Sequence, residues 1–478
     1  MMVTRQPAGQ ALDGPLPAVS SSDVISMLRQ FRERTHSLVE DLDDRQLIGP
    51  RLPTVNPPLW EIGHVGWFQE LWALRHLRRH KPLLENGDRL YNSTDIAHDT
   101  RWELLLPSLK DTWSYVDEVL DRVIEAMDGR RNLSKDELYF YFLVGFHEAM
   151  HAEALACTRQ TLGYPAPSFL GETAKAEYRR EVPLGDVEIP GGEFMIGASA
   201  DLPFVFDNEK WAHPVNIRPF RIARAPVTNG EYRQFVEDGG YRQPRWWSED
   251  GRQWLETGGA PQLEKSFAKF FNKALKETGE PSGIKEKLDH PVYWRREANG
   301  GWQQRLFDRY VPLEDRLPVI HVGWYEAEAY CNWARRRLPS EAEWEAAASG
   351  QPASEGPGFS RHRRLFPWGD QAPRSDQANL DWRNCGPVEV SLHPAGDSPF
   401  GCRQMIGNIW EWTADSFEPY PGFIADPYKE YSKPWFGTHK VLRGGCWATS
   451  SLLIRNTWRN FYTPDRRDVY AGFRTCAK

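Results

Sequence analysis

The character of this sequence changes once, near Pro165, and that change bounds what the chain can fold into. Before it, apolar residues recur at helical spacing in four long segments. After it, short β-prone pieces alternate with Gly and Pro turns, and long helical periods are few. A chain of 478 residues is too long for one ordinary core, so the two textures predict domains of different class. Residues 1–21, rich in Pro, Ala, Gly and Ser, read as a disordered lead. Residues 22–165 read as a four-helix bundle, 166–183 as a linker, and 184–478 as an irregular α+β domain.

The four helical segments have recognisable ends. The first is predicted over Ser22–Asp44, from Val24, Met27, Leu28, Phe31, Leu38 and Leu42. The second follows Pro57-Pro58, where a missing amide costs nothing in a first turn, and carries Leu59, Ile62, Trp67, Leu71, Leu74 and Leu77. A third runs from Ser108 to Met127. The fourth begins at Ser134, with Glu137 completing a capping box, and ends at Leu162 before Gly163. The polar connection over 81–106 is expected to cover one end of the bundle. Further on, a helix fits Trp324–Arg336, Ser340 caps a shorter one, and the charged stretch 258–290 reads as an insertion or lid.

Composition narrows the function classes. The net charge of −7 gives no electrostatic case for nucleic acid or an anionic membrane. The basic runs Arg335–Arg337 and Arg361–Arg364 stand among acidic residues and read as solvated surface. No apolar run approaches the ~20 residues of a membrane span, and the start lacks the apolar core of a signal peptide. Six cysteines form no CxxC pair, so a reducing cytoplasm is expected. The 21 Trp and 36 Pro suggest loops stapled by aromatic side chains.

The chemistry begins at His147-Glu148-Ala149-Met150-His151 on the fourth predicted helix. Spacing i, i+4 puts both imidazoles on one face, where they can share a cation. Taken literally this is the H-E-x-x-H of zinc peptidases; two buried histidines without metal are the plain alternative. His64 lies between Gly63 and Gly66 on the second helix, and facing helices of a bundle build metal sites from inward side chains. Three neutral ligands leave open positions, as a catalytic metal needs, and suit iron and zinc alike.

Further motifs appear in order downstream: Ile189-Pro190-Gly191-Gly192-Glu193-Phe194, Arg337-Leu338-Pro339-Ser340-Glu341, Phe366-Pro367-Trp368-Gly369, Gly407-Asn408-Ile409-Trp410-Glu411-Trp412 and Arg443-Gly444-Gly445. This string resembles the formylglycine-generating-enzyme (FGE-sulfatase) fold, which is C-type-lectin-like. A histidine-bearing helical domain placed before it resembles the DinB bundle of the ergothioneine-type sulfoxide synthases. Thr449 and Ile454 stand where formylglycine-generating enzymes carry reactive cysteines, so that chemistry is disfavoured.

The resemblance implies nonheme iron(II) held by His64, His147 and His151, with O2 as co-substrate. Hercynine (trimethylhistidine) and a sulfur or selenium donor are the implied small-molecule partners. It implies Tyr428 as the catalytic proton donor and Tyr431, Asn460 and Phe461 around hercynine. Aromatic faces beside a quaternary ammonium contribute roughly 0.5–2 kcal/mol each. Met150 stands where the family has a glutamine, and His98, Arg101 and Tyr462 stand where it has two arginines and an aspartate for γ-glutamylcysteine. That loss points to another donor, cysteine or a selenosugar, and the resemblance favours the selenoneine synthase branch. Glu148 is expected to orient an imidazole or to be solvated. A zinc-dependent DinB thiol transferase would use the same three histidines but leaves the second domain without a role. A lectin-like binding module leaves the histidines and Tyr428 without one.

Overall fold

The computed structural model describes residues 19–130, 132–171, 185–258 and 288–478. The expected lead and insertion lie almost wholly outside the described residues, as does the expected linker from residue 172 onward.

Helix α1 (Ser21–Ser37) opens on a capping box between Ser20 and Asp23. It ends at Ser37 and does not reach Asp44, because Asp43 starts a turn of its own. The Asp43 carboxylate accepts the Arg45 and Gln46 amides at the head of Asp44–Ile48. Helix α2 (Pro58–Gln69) is buried along its whole length and passes directly into a π-helical stretch, Glu70–His76. There the buried Glu70 carboxylate accepts the Leu83 amide at 3.1 Å and the Tyr115 hydroxyl at 2.6 Å, tying the widened turn to its neighbours. The connection after it carries short helical turns at Gly87–Tyr91 and His98–Glu103. Helices α3 (Leu109–Glu125) and α4 (Lys135–Leu162) complete the bundle, and α4 stops at Gly163, which adopts the left-handed φ of 65°.

One buried cation joins all four helices. Arg32 of α1 donates to the Gln69 side chain of α2 at 3.0 Å, to the Val116 carbonyl of α3 at 2.6 Å and to Glu148 of α4 at 2.8 Å. Thr35 adds a hydrogen bond to the same carboxylate at 3.0 Å. Glu148 is therefore neither solvated nor aimed at an imidazole. The peptidase pattern loses its general base to the bundle.

The second part is built from small sheets. Strands β1 (Asp186–Ile189), β2 (Gly192–Ile196), β3 (His213–Ile217) and β4 (Phe220–Ala223) come first. Helices α5 (Asn229–Glu237) and α6 (Glu249–Glu256) follow, then the meander β5 (Trp294–Arg296), β6 (Trp302–Leu306) and β7 (Arg309–Pro312). Helix α7 (Trp324–Trp333) stops before the expected Arg336. Arg335 turns left-handed, at φ 57°, and Arg336–Arg337 enter a sheet as β8. After α8 (Glu341–Ser349) come β9 (Trp410–Ser416), β10 (Lys440–Arg443), β11 (Asn460–Tyr462), β12 (Ala471–Gly472) and β13 (Cys476–Ala477). The sheet orders are β1-β4-β13-β8 and β11-β10-β9-β12, beside the β2-β3 pair and the meander. Where regular structure is sparse, buried ion pairs hold the loops. Arg443 reaches Glu341 at 2.7 Å and Glu345 at 2.6 Å, Arg459 reaches Glu341 at 2.7 Å, and Arg474 reaches Glu411 at 2.6 Å. All six cysteines are buried, and none forms a disulfide. No helix among the described residues is long and apolar enough to cross a membrane.

The two parts meet along α4. Glu153 accepts the Trp410 indole N–H and the Thr449 hydroxyl, each at 2.6 Å. Gln160 donates to the Arg305 carbonyl at 3.0 Å and accepts the Phe307 amide at 2.6 Å, and the Tyr470 hydroxyl donates to the Ala156 carbonyl at 3.2 Å.

Removing one partner of a buried ion pair strands the other's charge. Arg32→Met is expected to cost about 3–5 kcal/mol in urea unfolding. Arg32→Met/Glu148→Leu should recover most of that loss, because the apolar pair leaves no charge buried.

Candidate metal centre

Helix α2 packs against α4, against α3 and against the Gly87–Tyr91 turn, and its glycines let the last two come close. A Cβ on Gly63 would lie 2.2 Å from the Tyr91 ring, and one on Gly66 would lie 2.6 Å from Val116. Only bare backbone admits these neighbours. His64 comes from α2, and His147 and His151 from consecutive turns of α4. Each offers a nitrogen, and the three nitrogens lie within 4.8 Å of one another. The ring centroids are 5.1 Å apart for His64–His147, 5.0 Å for His64–His151 and 4.4 Å for His147–His151. His64 and His147 are buried, and burial together with the neighbouring imidazoles holds both well below the usual histidine pKa. They are neutral at physiological pH, the form that binds a metal.

Each ring is oriented differently. Nδ1 of His64 donates to the Tyr91 carbonyl at 2.8 Å, and Trp60 stacks on the ring at 4.9 Å. His147 lies under Phe68, 3.6 Å between centroids and 7° from parallel. His151 Nδ1 meets Glu61 Oε1 at 2.7 Å. Glu61 carries the role expected of Glu148. Sequence reasoning passed over it although it stands three residues before His64, one turn away on the same helix.

Tyr428 reaches this group from the second part. Its ring meets the Phe68 edge at 4.9 Å and lies 6.4 Å from His147 and 6.1 Å from Tyr431. Burial raises its phenol pKa, so the proton stays on at neutral pH. A cleft of about 270 Å³ opens beside Phe68 and Tyr428, with Trp67, Trp72, Asn92 and Glu430 among its walls.

Tyr431 stacks on Phe206 at 4.4 Å, and its hydroxyl lies 3.7 Å from Met150 Sδ and 3.4 Å from the Trp458 indole nitrogen. Phe461 stands 5.9 Å from Tyr431 and is stacked on Phe417 at 4.0 Å. The neighbouring Asn460 side chain accepts the Phe461 amide at 2.8 Å. Phe206 and Trp458 complete an aromatic group that no motif pointed to.

The remaining expected residues lie on the other flank. Arg101 lies 4.0 Å above the Trp60 ring and donates to the neutral Asn56 side chain at 2.6 Å. Burial lowers its pKa to about 10. His98 Nε2 donates to the Val55 carbonyl at 2.7 Å; burial, then the Arg101 charge, lowers its pKa to about 4. Arg466 lies 4.8 Å over the Tyr462 ring and forms two hydrogen bonds with Asp468, at 2.6 and 2.7 Å. It also bears electrostatically on His98. The sequence counted one guanidinium here; the fold brings a second.

Comparison with known proteins agrees with this architecture. Residues 27–155 match the DinB superfamily, and residues 172–478 match the sulfatase-modifying factor enzyme 1-like domain. A hercynine oxygenase of Mycolicibacterium smegmatis is 36% identical over 454 residues, covering 93% of this chain and 96% of that protein. A formylglycine-generating enzyme of Streptomyces coelicolor is 30% identical over 332 residues, covering 66% of this chain and 95% of its own. Among solved structures, PvdO from Pseudomonas aeruginosa covers 61% of this chain and 93% of its own, at 22% identity and a TM-score of 0.35. Similarity to the hercynine oxygenase runs through both parts of the chain, and that to the formylglycine-generating enzyme covers a smaller share. This protein is an enzyme and belongs to the hercynine oxygenase family.

Proposed function

We propose that the protein is an iron(II)- and O2-dependent synthase that joins a sulfur donor to the imidazole of hercynine. The observation that carries this reading is the convergence of His64, His147 and His151 beneath Tyr428. The donor set fits the metal: three imidazole nitrogens, two of them kept neutral by burial, with no carboxylate in the cluster. When bound, the metal supplies a Lewis-acidic centre that lowers the donor's pKa and activates oxygen. The protein's part is to position and to move a proton. Tyr428, protonated in the resting site, is the proton donor toward the open positions. Tyr431, Phe461 and Asn460 form the wall for the betaine, where aromatic faces attract a trimethylammonium. Met150, beside the Tyr431 hydroxyl, adds an uncharged, polarizable contact.

A sulfur donor bearing a carboxylate, cysteine or γ-glutamylcysteine, is supported by the charge of the Arg101 flank. Arg101 has a neutral hydrogen-bond partner, and Arg466 adds positive potential near His98. The relatives' name, hercynine oxygenase, supports hercynine and oxygen as the other two substrates. A selenosugar donor, as in a selenoneine synthase, is the second reading. It is carried by His98, Tyr462 and Met150, uncharged where the family has charge or an amide, and by the pairing of Arg466 with Asp468.

Anaerobic protein given iron(II), hercynine and one donor at a time, then oxygen, is expected to consume oxygen and form a hercynine adduct by mass with the carboxylate-bearing thiol. Turnover only with a selenosugar would establish the second reading, and no uptake with any donor would sink both. His64→Ala is expected to lose bound iron while keeping its far-UV circular dichroism. Tyr428→Phe is expected to bind iron normally and to form the adduct roughly 10²–10⁴-fold more slowly, the span of a lost general acid.

A further inference from the structure

We propose that Glu61 is a positioning residue that acts through His151, its buried negative charge raising the site's affinity for the metal and lowering the metal's reduction potential. The inference rests on the reading that the three histidines hold a metal. Glu61 is 1% exposed. Its Oε1 meets His151 Nδ1 at 2.7 Å, and its Oε2 has no hydrogen-bond partner. Among the described residues its one ion-pairing contact is His151 itself. The Arg101 charge bears on this carboxylate without forming an ion pair with it, so its direct compensation is a single imidazole N–H, less than a buried charge needs to offset lost hydration. A divalent cation on the far nitrogen of His151 provides it: the Nδ1–H becomes more positive and its hydrogen bond to Glu61 strengthens. The apoprotein therefore bears a cost that metal binding relieves, and linkage converts that relief into affinity.

The other two ligands lack this device. His64 donates to a neutral carbonyl, and His147 is held by the Phe68 face. His151 is thus the most electron-rich of the three donors, and a more electron-rich donor stabilises the oxidised metal more than the reduced one. Glu148 lies nearer in sequence but is committed to Arg32.

Glu61→Gln keeps the shape and a hydrogen-bond acceptor while removing the charge, and Glu61→Asp keeps the charge on a shorter arm. The test compares both with the wild type by cobalt(II) titration of the apoprotein, by the iron reduction potential, and by urea unfolding of the apoprotein. Glu61→Gln is expected to bind cobalt(II) about 10–100-fold more weakly and to shift the iron potential positive. Its apoprotein should unfold at the same or a higher urea concentration. Glu61→Asp should recover part of the potential. Unchanged affinity and potential in a folded Glu61→Gln would overturn the proposal, as would a loss of apoprotein stability with the potential unmoved, which is what simple packing predicts. If Glu61→Gln does not fold, a Glu61→Asp potential equal to that of Glu61→Ala overturns it. A wild type that binds neither metal defeats the metal reading itself, and that result is distinct from all of these.

Discussion

The Arg32–Glu148 pair is the contact on which the rest of the molecule depends. A guanidinium in a bundle core needs several acceptors, and Arg32 finds them on α2, α3 and α4. Few arrangements of the four helices satisfy it, so the pair sets helix rotation as well as helix contact. Rotation is what matters at the three histidines. With Glu148 turned toward Arg32, the α4 residues on either side of it, His147 and His151, face α2. The same constraint removes the one carboxylate that would make this pattern hydrolytic.

The second constraint is that α4 has no face to give to water. Most of its 28 residues are buried, and the bundle covers only part of its surface. The strand-rich part covers the rest, and the buried Glu153 carboxylate fixes how it sits, accepting Trp410 and Thr449. Thr449 occupies a position where formylglycine-generating enzymes are expected to keep a reactive cysteine. In this chain that position joins the two parts of the protein. The junction carries Tyr428 and Tyr431 to the histidines, so the site exists only where both parts are docked.

Much of this was legible beforehand, where a local rule governs. The Ser134–Glu137 capping box and Gly163 mark the ends of α4, because caps and left-handed turns depend on residues close in sequence. The i, i+4 histidines follow from the same helix geometry. Partners across the fold were not legible. Nothing near Glu148 points to Arg32, 116 positions away. Nothing near Tyr431 points to Phe206, and Arg466 reaches the flank of His98 only through tertiary packing. The π-helical stretch after α2 also gave no signal, since Glu70 is satisfied by Leu83 and Tyr115 and not by its own helix. Glu61 was readable from helical spacing, but its neighbourhood drew attention to glycine and histidine instead.

The aromatic shell explains why so few polar groups in the centre carry so much consequence. Trp60, Trp67 and Phe68 pack against His64 or His147 and fix the rings by contact area, without charge. Such a lining excludes water and lowers the local dielectric, which lengthens the reach of any charge that remains. Two remain close by: Glu61 on His151 and Arg101 over Trp60. They have opposite sign, and each reaches beyond its own contact: the Glu61 charge bears on Arg101, and the Arg101 charge bears on His64. On the proposed reading, Glu61 bears on the metal through His151, and Arg101 bears on an anionic donor at its flank. On the same reading, the electronic character of the metal is set mainly from inside the bundle, and the choice of donor at the loop that carries His98 and Arg101.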